Sequence, residues 1–346
     1  MKNITISDVA KFSGVSKSTV SNYLNGNFAR MSDETNKKIR SAIETLGYTP
    51  SLSARRLSSK NHSKTICLAI PRNISQLYDS MYYPVVFSAI GDEAKNLGYN
   101  ILIYSMDTDN QSQTIEYLKS LASSLVDGIL LFDLEEGKPI FREFGRAGVP
   151  YVCVGKLYNE EDYNYVASDH AGGLKQVLDY FYTSGHKKAA IITEGTADGV
   201  VEINRNMAFL EFLAENKEIE KQYQYLRINW RHRVSDIKLL FNEMLNPANR
   251  PTAVCISSCF IDIFMDVVKG YGLQVPGDIS VVILEYYKKS KVTEPYSDFS
   301  CVESRVEKVS KTALHKLIRS IDTGKLFKSE LIPLKLQIKN SSIKPK

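Results

Sequence analysis

Apolar positions along this chain fall into three regimes. Up to about residue 49 they recur every three or four residues in short bursts: Val9, Ala10 and Phe12, then Val15, Val20 and Leu24, then Ile39, Ile43 and Leu46. That period belongs to helices with one buried face, so three short helices are predicted. The punctuation agrees. "TISD", from Thr5 to Asp8, is a capping-box pattern, and Gly14 closes the helix after it. Ser16 is placed to cap a second helix running to about Leu24, and Ser32 a third that stops at Gly47.

Residues 48 to 63, "YTPSLSARRLSSKNHS", break the pattern. Pro50 interrupts any helix, and Ser, Arg, Lys and Asn dominate. Leu52, Ala54 and Leu57 nevertheless interrupt the polarity, which a plain spacer would not need.

From residue 64 the chain alternates continuous apolar runs with amphipathic stretches. "TICLAI", "NILIYS", "DGILLF" and "PYVCV" form one set; "NYVASD" opens a second, with "KAAIIT", "QYLRI", "PTAVCIS" and "ISVVIL". Strands apolar at every position are covered by helices on both faces, as in parallel sheets. Two such sets predict two doubly wound α/β subdomains. Ligands of these sheets bind beyond the carboxyl ends of the strands, which favours the cleft between the two units. The last residues, "QIKNSSIKPK", carry no heptad and are expected to fray.

The second helix asks for a purpose. Lys17, Ser18, Thr19, Ser21 and Asn22 crowd it with short or basic donors and little bulk. Ala10, Gly14 and Val20 stand where a helix-turn-helix needs a small crossing residue, a tight turn and an apolar anchor. The N-terminal end of such a second helix enters the major groove. Lys17, Ser18 and Asn22 are then candidates to read base edges, and Thr19 and Ser21 to hold phosphates.

Charge sharpens this. The net charge is +5, but residues 1–62 alone carry +6 and leave −1 for the remainder, so a polyanionic partner is expected at the N-terminal end. The five cysteines (Cys67, Cys153, Cys255, Cys259, Cys301) mostly lie in apolar runs and read as buried thiols of a reducing compartment. No apolar run spans a bilayer and no secretory leader opens the sequence, so a cytoplasmic location without membrane contact is expected.

"ITISDVAKFSGVSKSTVSNYLNG" followed by "MSDETNKKIRSAIETLGYTPSLSARRL" resembles the DNA-binding headpiece of the LacI/GalR (lactose-repressor) family of bacterial transcription regulators, nearly continuously over residues 4–57. A looser likeness continues through "DGILLF", "GHKKAAIIT", "PTAVCIS" and "VPGDISVV". The resemblance implies a small all-α headpiece (1–49), a hinge helix (50–63) and a periplasmic-binding-protein-like core. In that core, 64–163 with 293–324 would form one subdomain, and 164–292 with 325–339 the other. It also implies a homodimer on a near-palindromic double-stranded operator, acting as a repressor. Thr5, Ser16, Asn25 and Arg30 join the DNA-facing set. At the hinge, Ala54, Arg55 and Leu57 match the family motif, with Leu57 as the side chain that wedges into the minor groove. Many relatives carry Arg where this chain has Asn22, and Asn suits adenine where Arg suits guanine.

Carried over position by position, the family's ligand residues fall on Tyr82, Tyr83, Asp107, Lys156, Asp169, Arg205 and Trp230. Two positions depart from the family pattern: Cys259 follows "AVCIS" and Glu285 follows "ISVV", where relatives carry Asp. A sugar or sugar derivative is the implied effector class. The alternative is a regulator of the same fold with no small-molecule effector, modulated by a protein partner.

Catalysis is not expected. The histidines (His62, His170, His186, His232, His315) show no metal spacing, and there is no phosphate loop or nucleophile elbow. No cofactor and no metal are implied. A transport-type sugar binder would have no use for the fused headpiece.

Overall fold

The computed structural model describes residues 4–24, 26–49, 63–70, 81–107, 110–132, 140–157, 163–195, 199–229, 232–288, 291–325 and 327–345. It divides into two compact units, Met1–Ser63 and Lys64–Lys346.

The first unit holds α1 (Ile6–Ser13), α2 (Lys17–Leu24) and α3 (Asp33–Leu46), with one 3-10 turn at Phe28–Arg30. Each start is capped as expected. The Thr5 N–H donates to Asp8 Oδ2 at 2.8 Å, the Thr19 N–H to Ser16 Oγ at 3.1 Å, and the Thr35 N–H to Ser32 Oγ at 3.2 Å. Gly14 and Gly47 end α1 and α3 at φ values of 70° and 61°, a conformation glycine adopts without strain. The helices bury Val9, Ala10, Val20, Ile39, Ala42 and Tyr48 in one small core.

The second unit is two parallel-stranded layers. The first sheet runs in the order β11-β5-β4-β3-β1-β2, with β1 (Thr65–Ile70), β2 (Asn100–Ser105), β3 (Gly128–Phe132), β4 (Tyr151–Val154), β5 (Tyr165–Asp169) and β11 (Glu330–Pro333). The second sheet runs β12-β10-β9-β8-β6-β7, with β6 (Ala189–Glu194), β7 (Tyr223–Ile228), β8 (Ala253–Ser257), β9 (Ser280–Tyr286), β10 (Ser300–Glu303) and β12 (Leu336–Gln337). Among the described residues, only β12 pairs antiparallel.

Both faces of each sheet are covered, which is why their strands read as unbroken apolar runs. In β1, Ile66, Leu68 and Ile70 meet α4 (Tyr82–Asn96) and α11 (Val306–Thr323) on one face. Cys67 and Ala69 meet α5 (Gln111–Ser124) and α6 (Ile140–Ala147) on the other. The second sheet is likewise held between α7 (His170–Thr183) with α8 (Val200–Glu215) and α9 (Val234–Met244) with α10 (Ile261–Gly270).

The chain crosses between the sheets three times: from β5 into α7 at Asp169–His170, from β10 into α11, and from β11 into β12. This corrects the expected subdomain limits. Tyr165–Asp169 and Glu330–Pro333 pair with each other in the first sheet, whereas Ser300–Glu303 pairs with β9 in the second. Gln176 on α7 braces the third crossover, its amide donating to the Leu334 carbonyl and its carbonyl accepting the Leu336 N–H.

The C-terminal stretch does not fray. Ser341 and Ser342 are buried. The Ser341 hydroxyl donates to the Val281 carbonyl at 2.6 Å and accepts the Ser300 N–H at 2.8 Å, and the Ile343 carbonyl faces His186 Nε2 at 2.9 Å. The polar tail therefore supplies the second sheet with hydrogen bonds its buried edge would otherwise lack. Deleting residues 340–346 should cost about 2–4 kcal/mol, as several buried bonds of about 1 kcal/mol are lost together. A urea midpoint unchanged by the deletion would contradict this role.

Candidate functional site

Two places in the molecule gather the residues singled out by sequence. The first is the exposed side of α2. Its inward positions, Val20, Tyr23 and Leu24, pack on the headpiece core, which turns Lys17 and Ser18 outward. Thr19, Ser21 and Asn22 are partly buried, and Thr5, Ser16 and Arg30 are exposed. Ser16 ties the helix start together, with its hydroxyl 2.7 Å from that of Ser18 and 2.8 Å from that of Thr19. The arrangement leaves one basic side chain and several short donors at the first turn of a helix, where backbone N–H groups also point outward. Asn25, Ala54, Arg55 and Leu57 lie outside the described residues.

The second place lies at the carboxyl ends of the strands in the larger unit. Its centre is Arg205, 1% exposed, on the first half of α8. Nη1 donates to Glu202 Oε1 at 3.0 Å, one helical turn before it on the same helix. Nη2 lies 2.6 Å from Glu285 Oε1, at the end of β9, and 3.2 Å from His170 Nδ1, the first residue of α7. Glu202 is itself held: its Oε2 accepts from Thr193 Oγ1 at 2.6 Å and from the Tyr225 hydroxyl at 3.0 Å. Arg205 Nε is buried with no hydrogen-bond partner.

The electrostatics follow from this packing. Burial drives the His170 imidazole down to about 4, helped by the Arg205 charge against the opposing pull of Glu285, so at neutral pH it is uncharged. Burial pushes the Glu285 carboxyl up, but the Arg205 charge and its hydrogen bond help hold it below the usual carboxylate range. Glu285 has φ of 63°, uncommon for a residue with a side chain and a mark of a backbone held by its surroundings. Gly195, at φ 156°, ends β6 beside this network, and a Cβ there would sit 2.3 Å from Glu202 Cγ. Burial pushes the Cys259 thiol well up, reinforced by Glu194 and Glu285, so it is a packed, unreactive group.

The sequence candidates divide around this centre. Arg205, Glu285 and Cys259 come together. Asp169 caps α7, accepting the Gly172 N–H at 2.8 Å, and so fixes the neighbouring His170. Lys156 follows β4, and its carbonyl accepts the Asn204 amide of α8 at 3.3 Å across the two subdomains. Tyr83 is 1% exposed within the core of the first sheet, so of the tyrosine pair only Tyr82 keeps free surface. Asp107 is exposed, its carboxylate accepting the Asn110 N–H at 3.3 Å. Trp230 lies outside the described residues.

Sequence reasoning missed Glu202, Thr193, Tyr225 and the part of His170. Glu202 was readable, since it stands three residues before Arg205 on a helix. Thr193 and Tyr225 meet it from the neighbouring strands β6 and β7, and His170 reaches Arg205 from the start of α7.

Comparison with known proteins gives these two places a context. Residues 5–51 match the model of bacterial regulatory proteins of the lacI family, and residues 178–342 match the periplasmic binding protein-like domain. The probable HTH-type transcriptional regulator EndR of Paenibacillus polymyxa is 27% identical over 281 residues, 80% of this chain and 79% of that protein. The chain belongs to the lacI family. As a lacI-family protein it is a DNA-binding transcriptional regulator, with the first place on its helix-turn-helix and the second in its periplasmic-binding-protein-like core. The fold of this lacI-family member is that of the Lac repressor dimer bound to operator and the anti-inducer ONPF, with TM-score 0.81 at 20% identity, covering 99% of this chain and 100% of that one. A transcriptional regulator CelR–cellobiose complex aligns with TM-score 0.65 at 24% identity, over 98% and 99% of the two chains. Among the described residues no helix is long and apolar enough to cross a membrane, and no group of three or more His, Cys, Asp or Glu side chains could hold a metal ion.

Proposed function

We propose that this regulator works as a cytoplasmic, non-catalytic homodimer. It would bind a near-palindromic operator through Lys17, Ser18 and Asn22, with a sugar or sugar derivative in the core cleft setting its affinity for DNA. The observation that carries the effector half is the Arg205 network. It joins α7, α8 and β9 at the strand ends of a two-lobed core whose relatives in structure hold ONPF and cellobiose. Only a ligand with different affinities for two states of such a core can shift its equilibrium.

Exposed apolar side chains near the outer strands of the sheets support the homodimer. β2 and β7 are the outer strands of their sheets. Ile103 on β2, Tyr117 on α5, and Leu239 and Leu240 on α9 are all exposed. Apolar side chains at unpaired sheet edges are a liability for a monomer and a resource for a dimer.

One observation favours the second reading, a regulator without a small-molecule effector. Both terminal nitrogens of Arg205 are already engaged by Glu202, Glu285 and His170. A thermal-shift screen of the full chain against sugars, sugar phosphates and sugar acids separates the two. Stabilisation by any of them supports the effector reading, and none supports the partner-protein reading.

For the DNA half, replacing Asn22 by alanine should cost about 1–3 kcal/mol on the preferred operator and much less on operators changed at the facing base pair. Anisotropy titrations over all four bases at that position check it. Equal weakening of every variant would remove Asn22 from base reading.

A further inference from the structure

We infer that Tyr23 and Arg40 are positioning residues for base reading: their contact fixes the roll of α2, and the sequence preference of this regulator depends on it more than its general hold on DNA does. The inference rests on the reading that α2 meets base edges through Lys17, Ser18 and Asn22.

The packing of α2 leaves its orientation open. The helix has eight residues, too few to be stable alone, and Val20 is the side chain it buries fully. Val15, just before it, and Leu24 add partial cover. Apolar contacts of this kind are non-directional, so they set how much surface is buried and leave the helix able to roll about its axis. A roll is costly to base reading, because a side chain must meet the base edge at a fixed distance and angle.

Tyr23 supplies the missing direction. It lies three residues beyond Val20, on the same side of the helix. Its hydroxyl accepts from Arg40 Nε on α3 at 3.3 Å. Its ring meets that of Phe28 edge-on, with centroids 5.3 Å apart and planes at 74°. Both contacts depend on angle. Phe28 opens the 3-10 turn that ends in the exposed Arg30. The backbone between is closed as well: the Gly26 N–H donates to the Tyr23 carbonyl and the Asn27 N–H to the Asn22 carbonyl, each at 3.0 Å, with Gly26 at φ 76°. That pair of bonds is the glycine-ended stop of a helix. The end of α2, the turn after it and α3 therefore converge on one side chain, and Asn22 is its neighbour in the chain.

The test uses the full chain and two duplexes of equal length, a dyad-symmetric operator selected from random sequence and its scrambled counterpart. Anisotropy titrations over a range of salt give the affinity for each. Tyr23→Phe loses the hydroxyl and keeps the ring. It should lower the operator-to-scrambled affinity ratio about three- to tenfold, with scrambled binding and its salt dependence unchanged. Arg40→Met keeps the length of the side chain without a donor and should lower the ratio equally, whatever its lost charge does to both duplexes together. The double variant should fall no further than the worse single one, since both remove the same contact. Partial unfolding of the headpiece cannot imitate this, because it withdraws competent protein from both duplexes alike and leaves the ratio where it was. Should one variant not fold, the other carries the test. An unchanged ratio, losses that add in the double variant, or equal weakening on both duplexes would overturn the inference while leaving base reading by α2 intact. A wild-type ratio near one would overturn both.

Discussion

Replacing Arg205 with alanine should destabilise the larger unit by about 3–5 kcal/mol, because it strands Glu202 and Glu285 without their cation. Glu202 is the costlier of the two. Its side chain is 3% exposed, and the two hydroxyls that remain on it, from Thr193 and Tyr225, cannot neutralise it. Glu285 can turn toward water and should account for less. Urea unfolding followed by tryptophan-independent circular dichroism measures the loss as a lower midpoint at constant slope. A loss under about 1 kcal/mol would mean that the carboxylates find solvent or protons cheaply, and that the network is not the electrostatic centre described above.

The second large effect belongs to the headpiece. Ile39 is fully buried at the middle of α3, in a core of six buried apolar residues among those described. Truncation to alanine removes about 2–5 kcal/mol. A unit of this size rarely holds more than about 3–5 kcal/mol in total from its core. Ile39→Ala should therefore leave the headpiece largely unfolded and abolish binding to every DNA sequence, while the larger unit melts as before. Calorimetry and anisotropy on the same sample check both halves. Retention of operator affinity within about tenfold of wild type would show that the small core carries more stability than its size implies.

The headpiece and the order of strands were legible in the sequence because their signals are local. Thr5 with Asp8, Ser16 and Ser32 sit at helix starts. The runs from "TICLAI" to "ISVVIL" alternate with helices, four of which are closed by Gly98, Gly148, Gly185 and Gly272. The crossovers were not legible. β10 and β11 are four residues each, and β12 is two, too short for any period to declare itself. Ser341 and Ser342 read as solvent-facing, yet they are buried: Ser341 answers backbone groups of Val281 and Ser300, and Ser342 meets the hydroxyls of Ser300 and Tyr180, all more than forty positions away. The site shows the same division. Arg205 and Glu285 could be placed by position in the family pattern, but that they bind each other is a fact of two different elements converging. Tyr225 reaches Glu202 only because β7 pairs beside β6.

Asp169 and His170 are consecutive residues, one capping the helix that follows the first crossover and the other lying against Arg205. The crossover between the two sheets and the contact to Arg205 thus share a single peptide bond. On the proposed effector reading, a molecule that displaced His170 would act on that crossover without a relay of intervening side chains.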